Sequence, residues 1–496
     1  MNTEPLPQSQ PALDKPALVS ALRALLPAER VLYREEELRP YECDGLSAYR
    51  QRPLVVCLPG TVAEIQAILR LSREWNIPLV ARGAGTGLSG GALPLENGIL
   101  MSLARLKRIL DIDPLNRTAR VEPGVRNIAI SQAVAAHGLY YAPDPSSQIA
   151  CTIGGNVAEN SGGVHCLKYG LTVHNILGLK VLTAAGEILE IGGQAPDSPG
   201  YDLLALLTGS EGLLGIIVEI TVRLLPRPEQ VEVMLAAFSS IEDAANAVGE
   251  TIGAGIIPAG LEFMDNAAIR AAEDYAHAGY PRDAAAILLC ELDGNETEIA
   301  EQVRQVAQIF RKNHAGHITR AANEEEKQRL WAGRKAAFPA VGRISPDYYC
   351  MDGTIPRHRL PEVLGQIGRW SEEYQLQVAN VFHAGDGNLH PLILYDANQP
   401  GALERAEEFG GRILELCVQV GGTITGEHGV GTEKLDQMCV QFGAQELAQF
   451  HLVKDAFDPA GLLNPGKAVP TLHRCAEFGA MHVHGGKLPF PHLERF

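Results

Sequence analysis

Four side chains in two short, glycine-bounded segments carry the densest chemistry in this 496-residue chain. The segment VFHAGDGNLHP, 381–391, holds His383 and His390. Seven residues apart on a strand and turn, their imidazoles can converge on one ion. In GGTITGEHGVGTEK, 421–434, Glu427 is a third ligand-type side chain and His428 stands beside it. Two imidazoles and one carboxylate with open positions suit a catalytic divalent metal, and zinc, manganese and iron all accept that set. Far upstream lies RGAGTGLSGGA, 82–92. Gly85, Gly87 and Gly90 match G-x-G-x-x-G, and Asp111 follows at about the 20-residue spacing of a dinucleotide site. That motif must open a helix, yet Pro94, Asn97 and Gly98 come at once, so the loop joins strand to strand. Its glycines still let backbone N–H groups line a concavity for phosphate oxygens, with Thr86, Ser89 and Arg82 adding donors.

The elements that must position these groups are legible in part. PLVVCLP, 53–59, reads as a short strand. Thr61 caps the next helix with Glu64 three residues on, and Ile65, Ile68, Leu69 and Leu71 share one face. A second strand, 77–81, delivers the chain into the glycine loop. Strand-like runs recur at 98–103, 118–121, 178–182 and 215–225, after which Pro226 and Pro228 mark a boundary. From 229 the texture shifts to longer, βαβ-like units with a helix over 296–312. The expected division is 1–52 as tail and helical lead-in, 53–228 and 229–467 as two domains, and 468–496 as a Pro- and His-rich tail. Two more glycine-rich stretches stand out. In YAPDPSSQIACTIGGNVAENSGG, 141–163, Pro143 and Pro145 stiffen the backbone, while Ser146, Ser147, Thr152 and Asn156 offer hydrogen bonds. LLTGSEGLLGIIVEIT, 206–221, is a turn punctuated by Gly209, Gly212 and Gly215.

Composition narrows the function classes. A formal net charge of −17 argues against nucleic acid and anionic lipid as partners. It also repels a small anionic substrate, so local cations must draw one in. None of the nine cysteines forms a CxxC pair, which argues against an iron–sulfur cluster held by this chain alone and for reduced thiols in the cytoplasm. The N-terminus lacks the basic and apolar regions of a signal peptide, and no apolar run reaches the ~18 residues of a membrane span.

The glycine loop, the 141–163 and 206–221 stretches, the strand–helix–strand entry and LLNPGK at 462–467 together resemble the vanillyl-alcohol oxidase, or FAD-linked oxidase, flavoprotein family. The resemblance implies an α+β fold: a two-part FAD-binding domain followed by an α+β cap or substrate domain. It implies FAD contacts at Arg82, Gly83, Ala84, Gly85, Thr86, Gly87, Leu88 and Ser89, and at Pro143, Asp144, Ser147, Gly154, Gly155, Asn156, Asn160, Gly162 and Gly163. Glu211, Gly212, Ile216 and Asn464 complete that set. No histidine lies in the 82–92 loop, so noncovalent FAD is expected. The 229–467 part is similar to the group holding glycolate oxidases and D-lactate and D-2-hydroxyglutarate dehydrogenases. That likeness implies a divalent metal on His383, His390 and Glu427, with His428 as catalytic base. It also implies Arg334 of LWAGRKAAFPA as the clamp on a substrate carboxylate, with Arg343 as a substitute. Larger-substrate members carry a Lys where CMDGTIP has Cys350, which favours a small 2-hydroxy monocarboxylate. The strings ECDGLSAYR and SPDYYCMDGTIP point to the bacterial glycolate oxidase branch. That branch implies a second flavin-domain subunit, an iron–sulfur subunit, a quinone-type acceptor and peripheral inner-membrane association through those partners. A stand-alone D-lactate dehydrogenase would share every site residue, whereas a non-catalytic flavin scaffold would not need them. The tail histidines His473, His482, His484 and His492 are expected to serve partner contact.

Overall fold

The computed structural model describes residues 14–195 and 199–471. Most of the N-terminal tail and the four tail histidines therefore lie outside the described residues. The first sheet runs Val31–Leu32, Val55–Cys57, Ile99–Ser102, Leu79–Arg82 in space, and its last three strands pair in parallel. Parallel neighbours need a crossover, and the helix Val62–Glu74 supplies it. Thr61 Oγ1 accepts from the Glu64 amide at 3.2 Å, and the Glu64 carboxylate accepts from Gly60 N at 2.6 Å. The expected capping box thus forms with its return bond one residue earlier. Ile65, Ile68 and Leu69 bury fully against Val55, Leu79 and Ile99. Each such side chain contributes about 1.5–3 kcal/mol of burial free energy.

The glycine loop follows the strand Leu79–Arg82 and ends in the strand Ile99–Ser102, with no helix between. A second sheet of five antiparallel strands, Ile109–Asp113, Thr118–Val121, Ile216–Arg223, Ile176–Leu182 and Ile188–Gly192, packs behind it. The segment 462–467, assigned by its place in the chain to the second domain, rejoins the first sheet. Leu463 pairs in parallel with Leu79, through Leu79 N to Leu462 O and Asn464 N to Leu79 O, both 2.8 Å.

A third sheet of seven strands spans Gln230–Phe238 through Pro391–Tyr395. Its ladders are antiparallel throughout, which corrects the βαβ expectation. Helices cover both faces: Ile241–Gly253, Glu296–Lys312, Leu360–Tyr374 and Ala402–Gln419 on one, Asn266–Ala276 and Glu324–Val341 on the other. Central strands buried on both sides read as continuous apolar runs, the pattern usual for parallel sheets. The strand Val378–His383 is one of these, buried at every position.

Candidate active site

His383 ends the strand Val378–His383 and His390 immediately precedes the strand Pro391–Tyr395. The turn between them, with Gly387 at φ +82°, brings the rings edge to face at 5.2 Å between centroids. Glu427 arrives from a loop far downstream. Its Oε1 lies 3.4 Å from His383 Nε2 and 3.0 Å from His390 Nε2. All three residues are nearly buried, Glu427 Oε2 has no hydrogen-bond partner, and His390 Nε2 has only the Glu427 contact. Buried polar atoms left open in a His–His–carboxylate cluster fit a divalent metal.

Buried charge holds this cluster in place. Burial opposes ionisation of Glu427, yet the facing His383 and His390 rings keep its carboxyl well below the usual range. Behind His383, Glu262 Oε1 accepts from Nδ1 at 2.8 Å, which fixes the tautomer that points Nε2 at Glu427. The other oxygen of Glu262 pairs with Arg334, at 2.7 Å to Nε and 2.6 Å to Nη2.

His428 sits beside the cluster, its Nε2 3.9 Å from Glu427 Oε1 and its ring stacked on His390 at 5.0 Å. Burial pushes its imidazolium down to about 4, against the pull of Asp352, so the ring is neutral near pH 7 and able to accept a proton. The loop is tied down through its backbone. Asp352 accepts from the amides of Gly426, Glu427 and His428 at 3.1, 3.1 and 2.9 Å and from Lys434 Nζ at 3.0 Å. Burial alone would raise the Asp352 carboxyl, but the Lys434 ammonium holds it well below its ordinary value. Glu211 accepts from Val430 N and Gly431 N, both at 2.7 Å. Ser89 Oγ donates to His428 O at 2.9 Å.

These bonds set the 426–431 loop, called the base loop for the role expected of His428, against the wall of a cavity of about 470 Å³. The wall includes Arg82, Gly83, Ala84, Gly85, Thr86, Gly87 and Leu88, then Ser147, Gly154, Gly155, Asn156, Glu211, Gly212 and Ile216, and at its far end His390, Glu427 and His428. A Cβ on Gly83 would stand 2.3 Å from Thr152 Oγ1, so the glycine-rich turns approach as closely as a phosphate cradle requires. Seven expected cofactor residues are not in the wall. Ser89 is fully buried under the base loop. The Pro143 carbonyl accepts from Asn127, Asp144 pairs with His165 at 2.8 Å, and Asn160 caps a helix and accepts from Val173 N. Gly162 makes room for Glu427, since a Cβ there would lie 2.4 Å from Oε2. Gly163 lies against the Asp144 carbonyl, and the Asn464 amide donates to the carbonyls of Gly91 and Glu211. They shape the cradle rather than face it.

Arg334 also departs from expectation. It is 2% exposed and lies one layer behind the wall, whereas Lys335 lines the cavity. Helical rotation decides this. Leu330, Arg334, Ala337 and Val341 face the core, while Lys335, Phe338 and Pro339, at i, i+3 and i+4, face the cavity. Arg343 bonds the Asp274 carbonyl at the surface. Sequence reasoning also missed Glu159, which lines the cavity with Oε2 buried and unpartnered, and the anchors Asp352 and Glu262.

Gly431 tests the seam between the two loops. At φ +52°, a Cβ there would stand 2.1 Å from Ser89 O, a rigid backbone atom. Gly431→Ala is expected to push the base loop off the glycine loop, lowering both the melting temperature and flavin retention. Unchanged values in thermal denaturation and absorbance spectroscopy would show the seam to be unimportant.

Two family models match: the FAD binding domain over residues 53–192 and the C-terminal domain of FAD linked oxidases over residues 227–468. The chain is 64% identical to "Glycolate oxidase subunit GlcD" of Escherichia coli, across 99% of both chains. It is 40% identical to the Bacillus subtilis protein of that name, covering 86% of this chain and 91% of that one. It is 34% identical to a D-lactate dehydrogenase of Archaeoglobus fulgidus, covering 84% and 92%. Among solved structures, 4-ethylphenol oxidase from Gulosibacter chungangensis superposes with a TM-score of 0.78 at 19% identity, covering 95% of this chain and all of that one. A p-cresol methylhydroxylase gives 0.76 at 19% identity, covering 92% and 97%. At that identity the structures speak to the two-part fold, and the family models and closer relatives to the lineage: the chain belongs to the FAD-linked oxidase family.

Proposed function

We propose that this chain is the flavin-bearing, substrate-oxidising subunit of a glycolate-oxidase-type complex, converting glycolate to glyoxylate and, secondarily, D-lactate to pyruvate. The observation that carries this reading is a neutral His428 beside the His383–His390–Glu427 set, at the end of a cavity walled by glycine-rich turns. When bound, noncovalent FAD supplies the hydride acceptor, and zinc, manganese or iron supplies Lewis acidity toward the substrate hydroxyl. His428 takes the hydroxyl proton as general base. The C2 hydrogen then leaves with its electron pair, so the substrate loses one proton and one hydride and becomes a 2-oxo acid. Glu262 keeps His383 in register. Lys335 in the wall is the cation assigned to the carboxylate, while Arg334 behind the wall spends two nitrogens on Glu262. Two-electron oxidation leaves electrons to export. The reading sends them to an iron–sulfur subunit, beside a second flavin-domain subunit, and on to a quinone-type acceptor, with membrane contact only peripheral and through those partners. Among the described residues no helix is long and apolar enough to cross a membrane.

Anaerobic mixing with glycolate, D-lactate, L-lactate and D-2-hydroxyglutarate tests the reading. Glycolate is expected to bleach the flavin fastest and D-lactate next. No bleaching by either would end it, and a D-lactate preference without a co-purifying iron–sulfur subunit would favour a stand-alone dehydrogenase. Lys335→Ala is expected to raise the half-saturating glycolate concentration about fivefold, the ~1 kcal/mol ceiling of an exposed ion pair, with the limiting rate retained. An unchanged half-saturation would take the carboxylate role from Lys335.

A further inference from the structure

We propose that Cys350, His390 and His428 form a second metal site, which takes soft divalent ions and disables the base. The ligand atoms of the three residues lie within 4.8 Å of one another. Two of them are deeply buried: Cys350 is 4% exposed and His390 2%. The His390 and His428 rings stack with their planes 12° apart, and each turns Nε2 toward Glu427 Oε1. His390 Nδ1 lies 3.3 Å from the Met351 carbonyl oxygen, and the Cys350 thiol donates to that same oxygen at 3.4 Å. Both groups thus lie against one carbonyl, and Sγ is within 4.8 Å of a ring nitrogen of His390. His428 Nδ1 is itself buried with no hydrogen-bond partner. One sulfur and two imidazole nitrogens are therefore gathered with a carbonyl nearby, sharing only His390 with the carboxylate set. Thiolate and imidazole favour zinc and cadmium over manganese or magnesium. Binding releases the thiol proton to solvent and moves the His390 hydrogen from Nδ1 to Nε2, with no change of oxidation state, so the two metal sets compete for His390.

The consequence follows from imidazole chemistry. A neutral ring has one lone-pair nitrogen. With Nδ1 of His428 on the metal, Nε2 carries the hydrogen and can take no proton from substrate. This consequence rests on His428 as the base, whereas the binding itself does not.

Cadmium chloride added to the FAD-loaded protein tests both parts. The wild type is expected to develop the ultraviolet cadmium–thiolate charge-transfer band, and glycolate-driven flavin reduction is expected to slow at least tenfold. Cys350→Ser should lose that part of the band, and cadmium should slow its flavin reduction less than twofold relative to the same variant without cadmium. Because Cys43 and other thiols can add absorbance, the difference between wild type and variant is the reading. His383→Ala removes a ligand of the proposed catalytic metal but none of this set, so it should keep the band even if turnover is lost. Equal bands in wild type and Cys350→Ser, or in Cys350→Ala should the serine variant fail to fold, would overturn the site. A band without inhibition would overturn its effect on the base.

Discussion

Replacing His428 by alanine is expected to slow anaerobic reduction of the bound flavin by glycolate about a thousandfold, within the range of a lost general base. The side chain is the feature at stake, because the loop does not depend on it. Its backbone amide donates to Asp352 and its carbonyl accepts from Ser89, both through bonds that alanine keeps. The variant should therefore bind FAD with an unaltered visible spectrum. The size of the effect follows from the ring's state. Burial holds it neutral near pH 7, so the wild type begins with an open lone pair, and water admitted by alanine is a far weaker base. Stopped-flow absorbance reads the rate directly. A rate within tenfold of wild type would take the base role from His428, and Glu427 or a metal-activated hydroxide would have to inherit it.

The ease with which this site could be read from sequence varied with the range of the interactions. His383 and His390 sit at the two ends of one turn, so their convergence was visible in a single string. The glycine loop showed its strand-to-strand path because Pro94 and Gly98 forbid a helix. Asp352 lies 76 residues from His428, and Glu211 lies 219 from Val430. No local pattern links them, since a buried carboxylate that collects distant amides looks in sequence like any surface acid. Arg334 and Lys335 show a different limit. The helical spacing that separates them was present, but a helix rich in alanine marks its buried face weakly. The third sheet misled because strands covered on both faces lose the alternation that signals antiparallel pairing.

Glu262 carries the second large expected effect, on stability and metal retention together. It is 1% exposed and takes hydrogen bonds from Arg334 and His383. Although burial opposes its charge, the facing His383 ring and the Arg334 guanidinium hold its carboxyl below the usual range. Glu262→Leu leaves the Arg334 guanidinium buried without a counter-charge, an error that costs about 3–5 kcal/mol. It also frees His383 to turn or change tautomer, which typically weakens metal binding about 10- to 100-fold. The two effects separate in Glu262→Leu/Arg334→Met. Replacing a whole buried pair by apolar groups is often neutral, so thermal stability should largely return. Metal content should not, because His383 still lacks its orienting acceptor. If the double variant regained metal along with stability, Glu262 would be a counter-ion for Arg334 and nothing more. If neither returned, the pair would be needed for packing between the sheet and the helix Glu324–Val341. The expected split makes Arg334 part of the metal site's support. It also gives a physical reason for an arginine so nearly sealed from solvent in a chain that carries a net charge of −17.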